Sequence, residues 1–275
     1  MCSIIGYSGN GIAAPIIVKG LKRMEYRGYD SVGVATESEN QIELKKGIGK
    51  VNEVNSKIQL DSLPGKIGIG HTRWATHGKV TELNAHPHPS NSGKIAIVHN
   101  GIIENFEELK KELENEGYNF KSETDSEIIA NLIQKNYEIT KDVKETIMKT
   151  VSKIKGHYAF VAMFENGQLA AARFHEPLII GVGQENIFLS SDVLGFIEYT
   201  DNAIYMKSGN FIILENKEFQ ILDFEGKKVK HEITKVSKEF GDAYKGDYAH
   251  FTLKEIYEQP DVILRAGETT IEGIE

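Results

Sequence analysis

Cysteine is nearly absent: one residue in 275, at position 2. An internal disulfide is therefore impossible, and a reducing compartment, the cytoplasm, is the expectation. Long apolar runs are missing too. Nothing approaches the ~20 residues of a membrane-spanning helix. No basic segment followed by an apolar core and a cleavage site opens the chain, so no secretory signal is expected. Basic charge is in short supply, with 32 Lys and Arg against 40 Asp and Glu for a net charge of −8. A broad nucleic-acid surface needs a basic patch, and none is present; anionic membrane surfaces are disfavoured on the same ground. Internal repeats and low-complexity segments are also lacking. What remains is ordinary for a globular protein: 40% hydrophobic and 26% charged residues, enough for a sizeable core.

The patterning predicts α+β layers. CSIIGYSG reads as a strand ending in a glycine turn, and AAPIIVKGLKRMEYRG as a helix with Ile17, Leu21 and Met24 on one face. SVGVAT, QIELKKG, KIGIGHT and KIAIVHNG read as strands. Between the last two lies RWATHGKVTELNAHPHPSNSG, where Pro87 and Pro89 oppose regular structure. A loop of that length in a compact domain is usually functional or disordered. NFEELKKELENEG predicts a helix capped by Asn105 and stopped at Gly117. TDSEIIANLIQKNY predicts another, with Thr124 as cap, Asp125 in the first turn and Glu127 closing a capping box. KDVKETIMKTVSKIKG places Val143, Ile147, Val151 and Ile154 on one face. HYAFVAMFE, QLAAARF, PLIIGVG, NIFLSSD, AIYMKSGNFIILE and EFQILDFEG follow as strands at meander-like spacing. Residues 1–235 read as one domain. Residues 236–275 read as a partly helical tail without its own core, in which Phe251, Leu253, Ile256, Tyr257, Val262 and Leu264 offer apolar groups for a partner surface or for packing at home.

Five of the nine histidines, His71, His77, His86, His88 and His99, fall between residues 71 and 99. A zinc site would use short, regular ligand spacings. His86-Pro87-His88 has no helical register and no matching second cluster, so no metal is expected; loop-orienting hydrogen bonds are the simpler use of His86 and His88. Cys2 has three readings. It is a small buried hydrophobe, or a nucleophile activated by His71, His77 or His99, or a nucleophile whose base is its own α-amine once Met1 is removed. That amine titrates near ~7.7–8.0 and the thiol near ~8.5, an arrangement parallel to threonine acting with its own amine. Direct transfer within one residue is strained, so a bridging water is expected. Asn100-Gly101 offers a side-chain amide and an N–H for an oxyanion, or simply a hairpin turn. Arg73 suits an α-carboxylate and Asp125 an α-ammonium, and both equally suit an exposed surface.

CSIIGY, EYRGYDSVGVA, HTRWATHG, NAHPH, VHNGIIENF and SETDSE, in that order, resemble the glutaminase domain of the hexosamine branch of the class II glutamine amidotransferases, the glutamine–fructose-6-phosphate amidotransferases, within the N-terminal-nucleophile hydrolases. FTLKEIYEQP resembles the segment leading into that family's sugar-isomerase half. The resemblance implies a four-layer αββα sandwich of two mainly antiparallel sheets, no metal and no organic cofactor. It implies Cys2 as nucleophile and Asn100 with Gly101 as oxyanion hole. Arg73, Thr76 and His77 hold the substrate carboxylate, Trp74 shields the site, Asp125 meets the ammonium, Arg27 and Gly28 pack near the nucleophile, and His86 lies near the glutamine pocket. The implied reaction is glutamine hydrolysis to glutamate and ammonia through a Cys2 thioester. The ammonia would serve conversion of fructose 6-phosphate to glucosamine 6-phosphate by a sugar-isomerase chain or domain outside this chain. Ser3 departs from the family pattern, which has glycine after the nucleophile. If that position needs positive φ, serine costs ~1–2 kcal/mol there. The alternative to an enzyme is a non-catalytic, glutamine-sensing regulatory subunit.

Overall fold

The computed structural model describes residues 2–75, 78–237, 248, 253–260 and 262–263. The chain divides into two compact units, Met1–Val236 and Ser237–Glu275. In chain order the first unit runs β1 (Ser3–Gly9), α1 (Ala13–Arg23), β2 (Ser31–Ser38), β3 (Gln41–Ile48), α2 (Val51–Ile58), β4 (Ile67–Arg73), β5 (His88–Pro89), β6 (Ile95–Ile103), α3 (Phe106–Asn115), α4 (Ser126–Thr140) and α5 (Val143–Lys153). Strands follow: β7 (Gly156–Phe164), β8 (Leu169–Phe174), β9 (Ile179–Val182), β10 (Asn186–Ser190), β11 (Asn202–Tyr205), β12 (Asn210–Glu215), β13 (Glu218–Asp223) and β14 (Thr234–Lys235).

The strands form two antiparallel sheets. One has the order β14-β11-β9-β10-β1-β4-β2-β3, the other β13-β12-β8-β7-β6-β5. Three apolar clusters divide the unit into four layers. Ile4, Ile69, Val98, Val161 and Leu189 belong to the core between the sheets. Ile5, Ile17, Leu21, Val34 and Phe188 seal α1 and α2 onto the outer face of the larger sheet. Ile97, Ile129, Ile133, Ile147 and Phe160 seal α3, α4 and α5 onto the smaller one. Strand β1 is buried on both faces along its whole length, so SIIGYSG shows no alternation of apolar and charged residues. The result is the expected αββα sandwich.

Several local expectations need correction. The first helix ends at Arg23, and Glu25–Arg27 form a separate 3₁₀ turn. AIYMKSGNFIILE is two strands in different sheets, β11 and β12, rather than one. Helix α2 was not anticipated. Asn105 stands at the N-cap of α3 but does not cap it; its amide donates to the Lys153 carbonyl and its oxygen accepts from Lys155 N. Helix α4 starts at Ser126, so Asp125 rather than Thr124 is its N-cap, and Asp125 makes no capping bond. Glu127 accepts instead from Lys121 N, Ser122 N and Ser122 Oγ. The expected stop at Gly117 holds, with φ at +91°. The face Val143, Ile147, Val151, Ile154 is buried as its spacing predicts.

In the second unit, residues 253–260 and 262–263 are helical. Leu253, Ile256, Tyr257 and Val262 are exposed there; Phe251 and Leu264 lie outside the described residues.

Candidate active site

Cys2 sits at the head of β1, between β10 and β4 at the centre of the larger sheet. Ser3 pairs with Thr72 of β4, and Ser31 of β2 pairs with Arg73. This register brings Arg73, the last residue of β4, beside the nucleophile. The smaller sheet supplies β6, which carries Asn100 and Gly101 within its pairing to β7. Asn100-Gly101 is therefore not a hairpin turn. Gly101 has φ of +108°, and a Cβ there would stand 1.9 Å from the His157 carbonyl oxygen, so only glycine fits.

The Cys2 Sγ accepts a hydrogen bond from Trp74 N at 3.2 Å. Burial pushes the thiol up; the Trp74 N–H and the Arg73 and Arg27 guanidinium groups oppose that shift. The Cys2 carbonyl is held from two sides, by Asn100 Nδ2 at 3.1 Å and by Arg27 Nε at 3.2 Å. Arg27 is itself set by Asp192 at 3.4 Å. Gly28 lets the chain pass close to the loop, since a Cβ there would stand 2.9 Å from Trp74 N. Trp74 remains 41% exposed, its ring edge-on to Tyr29 at 5.4 Å.

Ser3 is wholly buried inside β1 and is not among the residues with positive φ. The conformational cost expected there does not arise. Its hydroxyl donates to the Met24 carbonyl at 3.0 Å, so the extra polar group is satisfied.

A pocket of about 600 Å³, counted to its open mouth, is lined by Cys2, Arg73, His86, Gly101 and Asp125 among others. Arg73 donates from Nη1 to the Lys79 carbonyl. Asp125 accepts from Ile103 N at 2.7 Å. The pocket thus has a cation and a carboxylate flanking a thiol. Phe106, Glu123, Thr124 and Ser126 also line it; they carry no chemical signature in the sequence beyond falling within or beside VHNGIIENF and SETDSE. A second opening, lined by Cys2, Trp74, Asn100, Glu104 and His157, adjoins the nucleophile. Thr76 and His77 lie outside the described residues.

The remaining clustered histidines are buried together. His71 stacks on His86 with ring centroids 4.1 Å apart, and His86 meets His88 edge-on at 4.5 Å. His88 Nε2 lies 3.2 Å from Thr124 Oγ1, and His99 Nδ1 lies 2.8 Å from Ser126 Oγ. His71 Nε2 lies 3.0 Å from both the His99 carbonyl and Asn100 Oδ1. Neither His71 nor His99 is hydrogen-bonded to Cys2, whose sulfur meets Trp74 instead, so the contact a Cys/His pair needs is not made. Burial lowers all four imidazoles, His71 to about 3 and His86 and His88 well below the usual range. Among the described residues no group of three or more His, Cys, Asp or Glu side chains could hold a metal ion. No helix among them is long and apolar enough to cross a membrane.

Residues 71–197 match the family described as a glutamine amidotransferase domain. Glutamine–fructose-6-phosphate aminotransferase (isomerizing) of Pyrococcus horikoshii is 48% identical over 266 residues, covering 96% of this chain and 44% of the relative. The Aquifex aeolicus enzyme of the same name is 45% identical, again over 96% of this chain and 44% of its own length. The chain thus spans less than half the length of these relatives. Among solved structures, the glutamine phosphoribosylpyrophosphate amidotransferase of B. subtilis superposes with a TM-score of 0.72 at 29% identity, over 81% of this chain and 49% of that one.

Proposed function

This chain carries a glutamine amidotransferase domain, and from that premise we propose that Cys2, freed of Met1, is the nucleophile that releases ammonia from glutamine. The observation that carries the proposal is the convergence of the Cys2 thiol, Gly101, Arg73 and Asp125 on one pocket, with the Asn100 amide bonded to the Cys2 carbonyl beside it. Arg73 takes the α-carboxylate of glutamine with a charge-assisted bond. Thr76 and His77, from the same HTRWATHG motif, assist it. Asp125 takes the α-ammonium, and its position is fixed by Ile103 N. With both ends of the amino acid held, the carboxamide is presented to the sulfur as an oriented reactant.

The Cys2 thiolate adds to Cδ, forming a C–S bond and moving the carbonyl electron pair onto oxygen. The second N–H of the Asn100 amide and the Gly101 N–H receive that oxyanion. The Cys2 α-amine, through a bridging water, takes the thiol proton and returns it to the departing nitrogen as the C–N bond breaks. Water then attacks the γ-glutamyl thioester, giving glutamate and regenerating the thiol. Splitting the amide hydrolysis this way replaces one difficult step with two easier ones. Trp74 screens the pocket, His86 lines its wall and Arg27 holds the nucleophile's peptide. Residues 1–236 form the glutaminase unit. The tail leads toward a sugar-isomerase chain or domain, which uses the ammonia to convert fructose 6-phosphate to glucosamine 6-phosphate.

The test is intact mass after incubation with a diazoketone analogue of glutamine, alongside glutamate release from glutamine. Loss of Met1, one adduct on Cys2 and glutamate release are expected. Retained Met1 with no adduct would overturn the proposal in favour of a non-catalytic glutamine-sensing subunit. Survival of activity in Cys2→Ala would point to a different chemistry.

A further inference from the structure

The mechanism above makes no use of His71, the most central of the four buried imidazoles. It is 1% exposed, at the end of β4, with Asn100 of the facing sheet as its neighbour. Its Nε2 faces two oxygens at 3.0 Å, the His99 carbonyl and Asn100 Oδ1. A carbonyl oxygen can only accept, so Nε2 must carry the proton. The other nitrogen, Nδ1, is buried without a hydrogen-bond partner among the described residues. The opposite tautomer would bury an unpaired N–H at Nδ1 and set a lone pair against two oxygens. The geometry therefore allows one protonation state: neutral, with the proton on Nε2.

That proton also decides which way the Asn100 amide faces. With Oδ1 accepting from His71, Nδ2 points to the Cys2 carbonyl at 3.1 Å, on the nucleophile's side. A flipped amide would put its NH2 group against the His71 N–H, donor to donor, and its oxygen against the Cys2 oxygen. We infer that His71 is a positioning residue that locks the Asn100 amide with its N–H groups toward the developing oxyanion, acting through Asn100 without touching substrate. The inference rests on the glutaminase reading for its kinetic consequences, but the tautomer it assigns does not.

Two measurements test it. Long-range ¹H–¹⁵N spectra of the wild-type protein at neutral pH should show His71 as the neutral Nε2–H tautomer. A charged ring or the Nδ1–H form would overturn the inference whether or not the protein hydrolyses glutamine. Kinetics then compare His71→Phe, which keeps a planar ring without a donor, with His71→Gln, whose side-chain amide can donate. His71→Phe should lower kcat ~10- to 100-fold, a part of what losing an oxyanion-hole donor costs. KM should stay within a few-fold, and His71→Gln should recover a measurable share of kcat. Alkylation of Cys2 by iodoacetamide develops no oxyanion, so its rate should hold in both variants. Adding His71→Phe to Asn100→Ala should cost little more than Asn100→Ala alone. Full additivity, an unchanged kcat, or alkylation that falls in step with kcat would each overturn the inference. Absence of glutamine hydrolysis in the wild type would instead sink the glutaminase reading and leave the spectrum to decide the tautomer.

Discussion

Acidification is the perturbation that the buried histidines make most informative. An unfolded chain protonates histidine near ~6.5, whereas burial holds His71 at about 3, with His99 and Arg73 pushing the same way. Between those values the unfolded state binds a proton that the folded state refuses. Stability therefore falls as pH falls through 6.5, keeps falling toward 3, and loses nothing further at this group below that. From pH 7 to pH 5 the His71 share is about 2 kcal/mol, at 1.36 kcal/mol per unit. His86, His88 and His99 are lowered as well and add in the same direction. With a urea m-value of about 2–3 kcal/mol/M, the His71 share alone moves the unfolding midpoint by roughly 0.7–1 M. The assay is urea unfolding at pH 7, 6 and 5 for the wild type and for His71→Gln, which lacks this titration. The wild type should lose about 2 kcal/mol more than the variant over that interval. Equal losses, or a wild-type midpoint that holds steady toward pH 5, would refute the reasoning.

Gly101→Ala sets a methyl against the His157 backbone at a φ of +108°. We expect at least ~2 kcal/mol of destabilisation and a ~100-fold or greater loss of glutamine hydrolysis, while folded protein still reacts with iodoacetamide at Cys2. Ser3→Gly removes the bond to the Met24 carbonyl and frees the backbone of β1. Its expected cost is ~1–2 kcal/mol in denaturant unfolding, with kcat/KM unchanged within a few-fold; a large gain in kcat/KM would mean the serine hampers the nucleophile. Asp125→Asn should raise KM for glutamine ~10- to 100-fold, the weight of a hydrogen bond to a charged group, with a smaller effect on kcat.

The layers were legible because periodicity reports burial directly. Strand β1 is read from an apolar stretch closed by a glycine turn and the inner face of α5 from its spacing, and both are buried. What failed was decided by partners outside the helices themselves. Asn105 and Glu127 have the sequence positions of capping residues, yet their polar groups are taken by Lys155 N, some fifty residues on, and by the loop at Lys121–Ser122. Helix α2 was missed because its eight residues bury only Val51 and Val54, too few to make a periodic signal. Motif order gathered the pocket residues, but nothing local told His71 from His99. The first faces Asn100 twenty-nine positions away, a contact created when the two sheets stack, and the second faces Ser126 twenty-seven away, a contact created when α4 packs on the smaller sheet.

The Asn100 amide grips the peptide of Cys2 itself. This has a mechanical consequence for a site assembled from two separate sheets. Breathing of a layered sandwich would ordinarily change the distance between an attacking atom from one sheet and a charge-stabilising donor from the other. Here the cross-sheet tie joins those two parts directly, so slippage between the layers carries both along together. The alignment that matters is referenced within the site and not to the scaffold, which lets the surrounding layers fluctuate without detuning it.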